Sequence, residues 1–209
     1  LKAYEIHPDE GFAALRTVER SVPAVGPGDV RVRVRAVSLN YRDLRVLAGA
    51  AKRKAPVVPV SDGAGEVIQI GSAVTRLAVG DRVAAGFFPT WRSGGLAEEH
   101  HQRALGGSID GMLAEEVSLP ETAWVRLPAH LSLEQGATLP CAGVTAWHAL
   151  FEAAALRPGD TVLVQGSGGV SIFALQLARA AGARVVATSS SADKRARLER
   201  MGALATVDY

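Results

Sequence analysis

Five consecutive residues, Gly166-Ser167-Gly168-Gly169-Val170, are of the types that can hold a phosphate against backbone. They follow directly on Thr161-Val162-Leu163-Val164-Gln165, an apolar run suited to a strand buried on both faces of a parallel sheet. They open a segment from Ser171 to Ala181 in which Ile172, Phe173, Leu175, Leu177 and Ala178 form one helix face, stopped by Gly182. A second strand follows from Arg184 to Thr188, which completes a βαβ unit. In that context Gly166 permits a tight turn and Gly168 lets the backbone approach a pyrophosphate. The helix start, through Ser167, Gly169 and Val170, offers free N–H groups and the positive end of its dipole. Ser171 replaces the third glycine of the usual fingerprint and is expected to loosen helix-to-strand packing slightly. The reading is dinucleotide binding.

The end of the second strand bears on which dinucleotide. An acidic side chain there would accept the ribose hydroxyls of NAD. The chain instead reads Thr188-Ser189-Ser190-Ser191-Ala192-Asp193-Lys194-Arg195. Hydroxyls from Ser189 and Ser190, with Lys194 and Arg195, suit a phosphate on that ribose, so NADPH is the expected cofactor. Asp193 or Ser191 can cap the following helix, which runs through Met201, while Lys194 and Arg195 stay solvated; the two roles are compatible.

Other reactive side chains are sparse. Cys141 is the sole cysteine, which excludes an internal disulfide and an all-cysteine metal cage. With no cationic neighbour visible in sequence it reads as an inert buried thiol. His148 lies about two turns further on if the helix there is continuous, too far to activate it. The adjacent His100 and His101 sit in an irregular stretch from Phe87 to Met112 that also holds Trp91. Such a long loop is often functional, here as a lid over substrate.

The elements that must position these residues fall into two regions. Residues 1–127 are rich in short strands, such as Val30 to Val37, Gly65 to Ile70 and Arg82 to Ala85, with one helix from about Tyr41 to Leu47. Residues 128–209 carry alanine-rich helical patterns, Leu133 to Leu139 and Val144 to Leu156, before the βαβ unit and a third strand from Ala203. About one half of a doubly wound dinucleotide fold follows Thr161, so the protein is expected to continue past Tyr209. The fold class is therefore α/β.

A net charge of +2 in 209 residues, with acidic and basic groups interspersed, disfavours nucleic acid as a partner. The densest basic features are Arg31, Arg33 and Arg35, alternating with valines as one solvated strand face, and the run Lys52-Arg53-Lys54. No apolar run is long enough for a membrane span and no secretory signal opens the chain, which makes the cytoplasm the expected location.

Taken together, Leu39-Asn40-Tyr41-Arg42-Asp43, Ser61-Asp62-Gly63-Ala64-Gly65-Glu66-Val67, Val79-Gly80-Asp81-Arg82-Val83 and Leu139-Pro140-Cys141-Ala142-Gly143-Val144-Thr145-Ala146-Trp147 resemble the medium-chain dehydrogenase/reductase superfamily, most closely its zinc-independent, quinone-oxidoreductase-like branch. The resemblance implies a GroES-like β domain, a Rossmann doubly wound parallel-sheet domain, and a nicotinamide held between them. Zinc-dependent members ligate their catalytic metal at positions that match Asn40, Ser61 and Cys141; an amide and a hydroxyl are poor zinc ligands, so no metal is expected. The resemblance further implies that Asn40 and Thr145 contact the nicotinamide, that Ser190, Lys194 and Tyr209 surround the adenosine phosphate, and that the chains pair as a homodimer. Tyr41 is a candidate donor to the substrate oxygen and Asp43 a candidate to orient it, with a purely structural helix-start role as Asp43's equal alternative. The expected activity is NADPH-dependent reduction of small enones, quinones or related carbonyl compounds. The alternatives are a zinc-dependent alcohol dehydrogenase and a non-catalytic NADPH-binding sensor or structural protein.

Overall fold

A computed structural model of the chain describes residues 1–209 and divides it into two compact units, Leu1–Cys141 and Ala142–Tyr209.

The first unit begins with a hairpin of β1 (Lys2–Ile6) and β2 (Leu15–Glu19). Its body is a five-stranded antiparallel sheet. In chain order the strands are β3 (Asp29–Ser38), β4 (Asp62–Ile70), β5 (Arg82–Ala85), β6 (Glu116–Pro120) and β7 (Trp124–Arg126), arranged as β6-β3-β4-β5-β7. Period-two alternation sends Val30 and Val32 into a core with Val67, Val83, Leu105, Met112 and Trp124. The intervening arginines are more than a solvated face. Arg31 and Arg33 lie 3.5 and 3.6 Å from Glu116 of β6, and Arg35 lies 3.1 Å from Glu66 of β4. Each is a cross-strand pair set by register, since Arg33 stands opposite both Glu66 and Glu116. Irregular register between β3 and β4 brings Arg33 so close to Gly65 that a Cβ there would meet the Arg33 carbonyl oxygen at 2.1 Å. Only glycine fits that bulge.

Helix α1 (Tyr41–Ala48) leaves the end of β3, as its sequence pattern predicts. The stretch from Phe87 to Met112 is only partly a loop. It contains the short helix α2 (Glu98–His101), and Leu105 and Met112 within it are fully buried in the sheet's core. Phe88 makes edge contacts with Phe87, Trp91 and His101, while Trp91 stacks on His100 at 5.8 Å. These aromatic contacts order a segment whose sequence has no sustained period.

The first unit runs past residue 127. Helix α3 (Leu133–Ala137), capped by Ser132 with Gln135, packs Ala137 against Ala64, Ala84 and Leu127 on the sheet. That burial places the division of the chain at 141/142. The long helix expected from Val144 to Leu156 is broken in pitch: α4 (Val144–Trp147) is flanked by wider π-type turns at Leu139–Gly143 and His148–Ala153. The two-turn phase between Cys141 and His148 that an α-helix gives therefore does not hold here.

In the second unit three parallel strands, β8 (Thr161–Val164), β9 (Arg184–Thr188) and β10 (Ala205–Val207), stand in the order β10-β9-β8. They alternate with α5 (Gly169–Ala180) and α6 (Ala192–Arg200). Val164, Leu175, Ala178, Val185, Ala187 and Leu198 form the core. Within these three strands the burial of β8 on both faces is not tested, because the chain carries only part of the sheet that its relatives have. Here β8 is an edge strand of the three, and Leu163 is 58% exposed.

Candidate functional site

Two clusters answer to the candidate residues, one in each unit.

In the first unit, the antiparallel register places Ser38 of β3 opposite Asp62 at the start of β4. Asn40 lies two residues beyond Ser38 and donates its side-chain amide to the Ser38 carbonyl at 3.3 Å. Asp62 is fully buried, and the groups around it converge on its carboxylate. The Ser61 hydroxyl donates to Oδ1 at 2.6 Å, the Cys141 backbone N–H donates to Oδ2 at 2.9 Å, and the Asn40 amide also contributes. Burial pushes the Asp62 carboxyl above its ordinary range, and these hydrogen bonds partly oppose that shift. Immediately before, Val60 holds φ +70°, a left-handed conformation that is costly for a β-branched residue. The turn is clamped from both sides: a Cβ on Gly106 would meet the Val60 carbonyl carbon at 2.5 Å, and one on Gly111 its carbonyl oxygen at 2.2 Å. Sequence reasoning quoted Asp62 only inside a motif. Its signal was a carboxylate at the head of a strand, directly before Gly63, Ala64 and Gly65.

Asp43 closes the start of α1. Its Oδ2 accepts from the Asn40 backbone N–H at 2.7 Å, and Oδ1 lies 3.8 Å from the Arg42 guanidinium. Desolvation raises its pKa, against the Asn40 hydrogen bond and the Arg42 charge. The helix-start role is thus visible in the geometry, while Tyr41 is 77% exposed. Arg42 bonds the Leu105 carbonyl at 3.0 Å and lies over the Phe87 ring at 4.6 Å, tying α1 to the aromatic stretch.

Asn40, Ser61 and Cys141 therefore do come together, but around a carboxylate. As a zinc set they do not fit. The Ser61 hydroxyl is committed to Asp62, Asn40 offers an amide, and the Cys141 thiol is biased against the thiolate a metal needs. No group of three or more His, Cys, Asp or Glu side chains is placed to hold a metal ion, and His100 and His101 face aromatic rings. Burial first, then the Asp62 charge, raise the Cys141 pKa. Alkylation of Cys141 by iodoacetamide at about pH 7 is accordingly expected to be slower than that of a free cysteine, and to accelerate only as pH climbs beyond the ordinary thiol range. A rate matching that of glutathione across the same pH series would contradict it.

In the second unit the glycine turn has the form its sequence predicts. Gly166 holds φ +79°, and its N–H donates to the Thr188 hydroxyl at 3.0 Å, fixing the turn to the end of β9. Gly168 is the N-cap of α5, and the first intrahelical bond runs from the Ile172 N–H to the Gly168 carbonyl. The amides of Gly169, Val170 and Ser171 precede that bond and so open outward. A Cβ on Gly166 or Gly168 would meet no atom within 4 Å, so the space over the turn is empty. Ser171 tightens the motif where loosening was expected: its hydroxyl donates to the Gln165 carbonyl at 2.8 Å, binding the first turn of α5 to the end of β8. These features fit a dinucleotide pyrophosphate.

Around the end of β9, Ser189 is buried and its hydroxyl accepts from the Ser191 N–H at 3.3 Å, whereas Ser190 and Lys194 are exposed. Ser191 caps α6 by accepting from the Lys194 N–H. Arg195 is engaged by the Ser189 carbonyl at 2.6 Å and by Asp208 at 2.8 Å. Of the two cations after the serines, Lys194 is the one left free. Thr145 and Tyr209 are exposed within their unit.

Residues 26–129 match the alcohol dehydrogenase GroES-like domain and residues 169–209 the zinc-binding dehydrogenase domain. The chain belongs to the medium-chain dehydrogenase/reductase superfamily. It is 44% identical, over 99% of its length and 61% of the relative's, to a zinc-type alcohol dehydrogenase-like protein of Schizosaccharomyces pombe. It is 38% identical, over 93% of its length and 60% of the relative's, to an acryloyl-coenzyme A reductase of Metallosphaera sedula. Among solved structures it is similar to a quinone oxidoreductase of Pseudomonas syringae pv. tomato, with TM-score 0.81, 32% identity, and coverage of 100% of this chain and 58% of that one. It is also similar to a mycobacterial protein complexed with NADPH, with TM-score 0.79, 28% identity, and coverage of 100% and 58%. The chain thus spans about three fifths of the length of these proteins. No helix in it is long and apolar enough to cross a membrane.

Proposed function

We propose that the full-length protein is an NADPH-dependent, zinc-free reductase of conjugated carbonyl compounds, enones or quinones, working as a homodimer. One observation carries this reading: at two of the three positions where relatives would hold a metal stand a hydroxyl and an amide, Ser61 and Asn40, both turned to buried Asp62, while the third, Cys141, gives Asp62 only its backbone N–H. Oxidising an alcohol without a Lewis acid requires stabilising an alkoxide unaided. Adding hydride to the β-carbon of an enone needs only a donor for the enolate-like oxygen, with a proton then delivered to the α-carbon. Bound NADPH supplies the hydride. In this chain Tyr41, with its exposed phenol at the start of α1, donates to that oxygen. Asp43 holds Asn40 and the helix start in place, so that Asn40 is the residue of this unit that would contact the nicotinamide. Water supplies the final proton. The acryloyl-coenzyme A reductase and quinone oxidoreductase relatives act, by name, on substrates of this electronic type.

The test is NADPH consumption by the full-length protein with 1,4-benzoquinone and a set of enones, with and without a strong chelator. Turnover that survives chelation is the expected result. Activity lost to the chelator and restored by zinc would instead establish the zinc-dependent dehydrogenase suggested by the name of the yeast relative.

Cofactor choice has its own test. Lys194→Glu is expected to raise the Kd for NADPH on the order of tenfold to a hundredfold, since a charge-assisted contact becomes a repulsion, and to leave the Kd for NADH nearly unchanged. Equal losses for both nucleotides, measured by fluorescence titration, would remove Lys194 from the adenosine phosphate.

A further inference from the structure

The run Lys52-Arg53-Lys54 has no part in either cluster described above. It follows α1 through a single turn of 3-10 helix, Ala50–Lys52, and forms one wall of an open cavity of about 540 Å³ in the first unit. The opposite wall is Gly107, Ser108, Ile109 and Asp110. Most of the other basic side chains in that unit's sheet have an acidic partner, as Arg31, Arg33, Arg35 and Arg126 do, and Arg20 is paired with Glu5 and Asp110. Lys52, Arg53 and Lys54 have none within ion-pair distance. Asp110 is the sole carboxylate lining the cavity, and it is spent elsewhere. One oxygen accepts from Arg20 at 2.7 Å and the other from the Val58 N–H at 2.9 Å.

Arg53 is fixed rather than free. Its Nη2 donates to the Gly107 carbonyl at 2.9 Å and its Nε to the Ala55 carbonyl at 3.4 Å, so the guanidinium bridges the two walls with Nη1 unengaged. Both lysines are exposed beside it. Three contiguous cations, one pre-positioned by the backbone and none neutralised, line a concave space of ligand size. That combination matches a phosphomonoester or diphosphate, whose oxygens take charge-assisted hydrogen bonds from guanidinium and ammonium groups together.

We infer that this cavity is a phosphate-binding site that holds the phosphorylated distal end of the substrate. The inference rests on the reductase reading above and gives it a substrate class: conjugated carbonyl compounds that carry a phosphorylated group at their distal end. The geometry within the unit agrees. Helix α1 has Tyr41, the proposed oxygen donor, at its start, and Gly49, which follows its last residue, lines the cavity; eight residues of helix separate the two by about 12 Å. A substrate reaching from one to the other must be long, with its reacting carbonyl at one end and its phosphates at the other.

The test compares crotonyl-coenzyme A with crotonyl-pantetheine, which has the same thioester without phosphates, on full-length protein and on the charge-reversed Lys52→Glu/Lys54→Glu variant. Inorganic diphosphate binding is measured separately by calorimetry, and the unfolding midpoint of the variant checks that it folds. The wild type is expected to show a KM for the coenzyme A thioester lower on the order of tenfold, and the variant to lose that preference together with diphosphate binding. Equal KM values for both thioesters, or a preference the variant keeps, would overturn the assignment. Diphosphate binding lost in the variant without any thioester preference in the wild type would also overturn it, and would leave a site for a free phosphorylated molecule. Failure of the reductase reading is recognisable on its own, as absence of turnover with every conjugated carbonyl whether phosphorylated or not, while calorimetry still reports on the cavity.

Discussion

Gly166→Val in the full-length protein is expected to weaken NADPH binding by about a hundredfold or more, while Gly168→Val does nearly the same with only the stability loss of a poorer N-cap, about 1 kcal/mol. The difference separates backbone strain from ligand approach. Gly166 holds φ +79°, where a β-branched residue costs about 1–2 kcal/mol, so that variant loses both the turn's geometry and some stability. Gly168 has φ −77° and ψ 177°, extended backbone open to any residue, and a Cβ added there meets nothing within 4 Å. Its side chain crowds nothing in the folded chain and costs only the poorer helix cap. What it blocks is whatever must come close to the amides of Gly169, Val170 and Ser171. Titration of cofactor fluorescence alongside thermal unfolding reads the two effects apart. A Gly168→Val protein that bound NADPH as tightly as the wild type would show that no phosphate approaches this turn, and the cofactor site would have to be sought elsewhere.

The turn was legible in the sequence because its physics is local. An apolar strand, a glycine forced to positive φ and a helix with an apolar face occupy consecutive residues, and β9 and α5 fall where the pattern puts them. What escaped there was a single contact, the Ser171 hydroxyl on the Gln165 carbonyl, because a small residue in place of glycine reads as a loss until its hydrogen bond is seen. The strands of the first unit were legible for the same reason. Val30 and Val32 alternate with Arg31 and Arg33, but the partners of those arginines lie on β4 and β6, set by a register that no local pattern reports.

The first-unit cluster was legible only as residue types. Asn40, Ser61 and Cys141 come from the end of one strand, the start of another and a position 79 residues beyond Asp62, and only the folded sheet brings them to one carboxylate. Left-handed Val60 was invisible for a stronger reason. Valine is among the residues least suited to φ +70°, and the turn exists because Gly106 and Gly111 close on it from a distant segment. The π-type turns on either side of α4 are likewise a packing outcome, since an alanine-rich run with the right apolar spacing predicts plain α-helix.

Asp62→Ala is expected to destabilise the protein by about 2–4 kcal/mol, because it strands the buried Ser61 hydroxyl and the Cys141 N–H without their acceptor. That loss is set against relief of the carboxylate's own desolvation, so Asp62→Asn, which keeps an acceptor, is the sharper probe. Burial raises the folded-state pKa of Asp62. From the ordinary carboxylate value near about 4 up to that raised value, the folded protein keeps a proton that the unfolded chain has released, so stability falls as pH rises through the window and levels off above it. Asp43 has a raised pKa and the same sign, while Asp9, Asp81 and Glu134 have lowered pKa values and lose their contribution as pH falls, so the wild-type profile alone is a mixture. Subtracting the Asp62→Asn profile from the wild type isolates the one group: the wild type is expected to lose ground to the variant as pH rises from about 4. Removing the negative charge also removes one cause of the raised Cys141 pKa, so iodoacetamide must react faster with Cys141 in the variant than in the wild type. A flat difference profile together with unchanged alkylation would mean that Asp62 is not a buried, charge-bearing acceptor at the centre of this cluster, and the argument against a metal at Asn40, Ser61 and Cys141 would lose its main support.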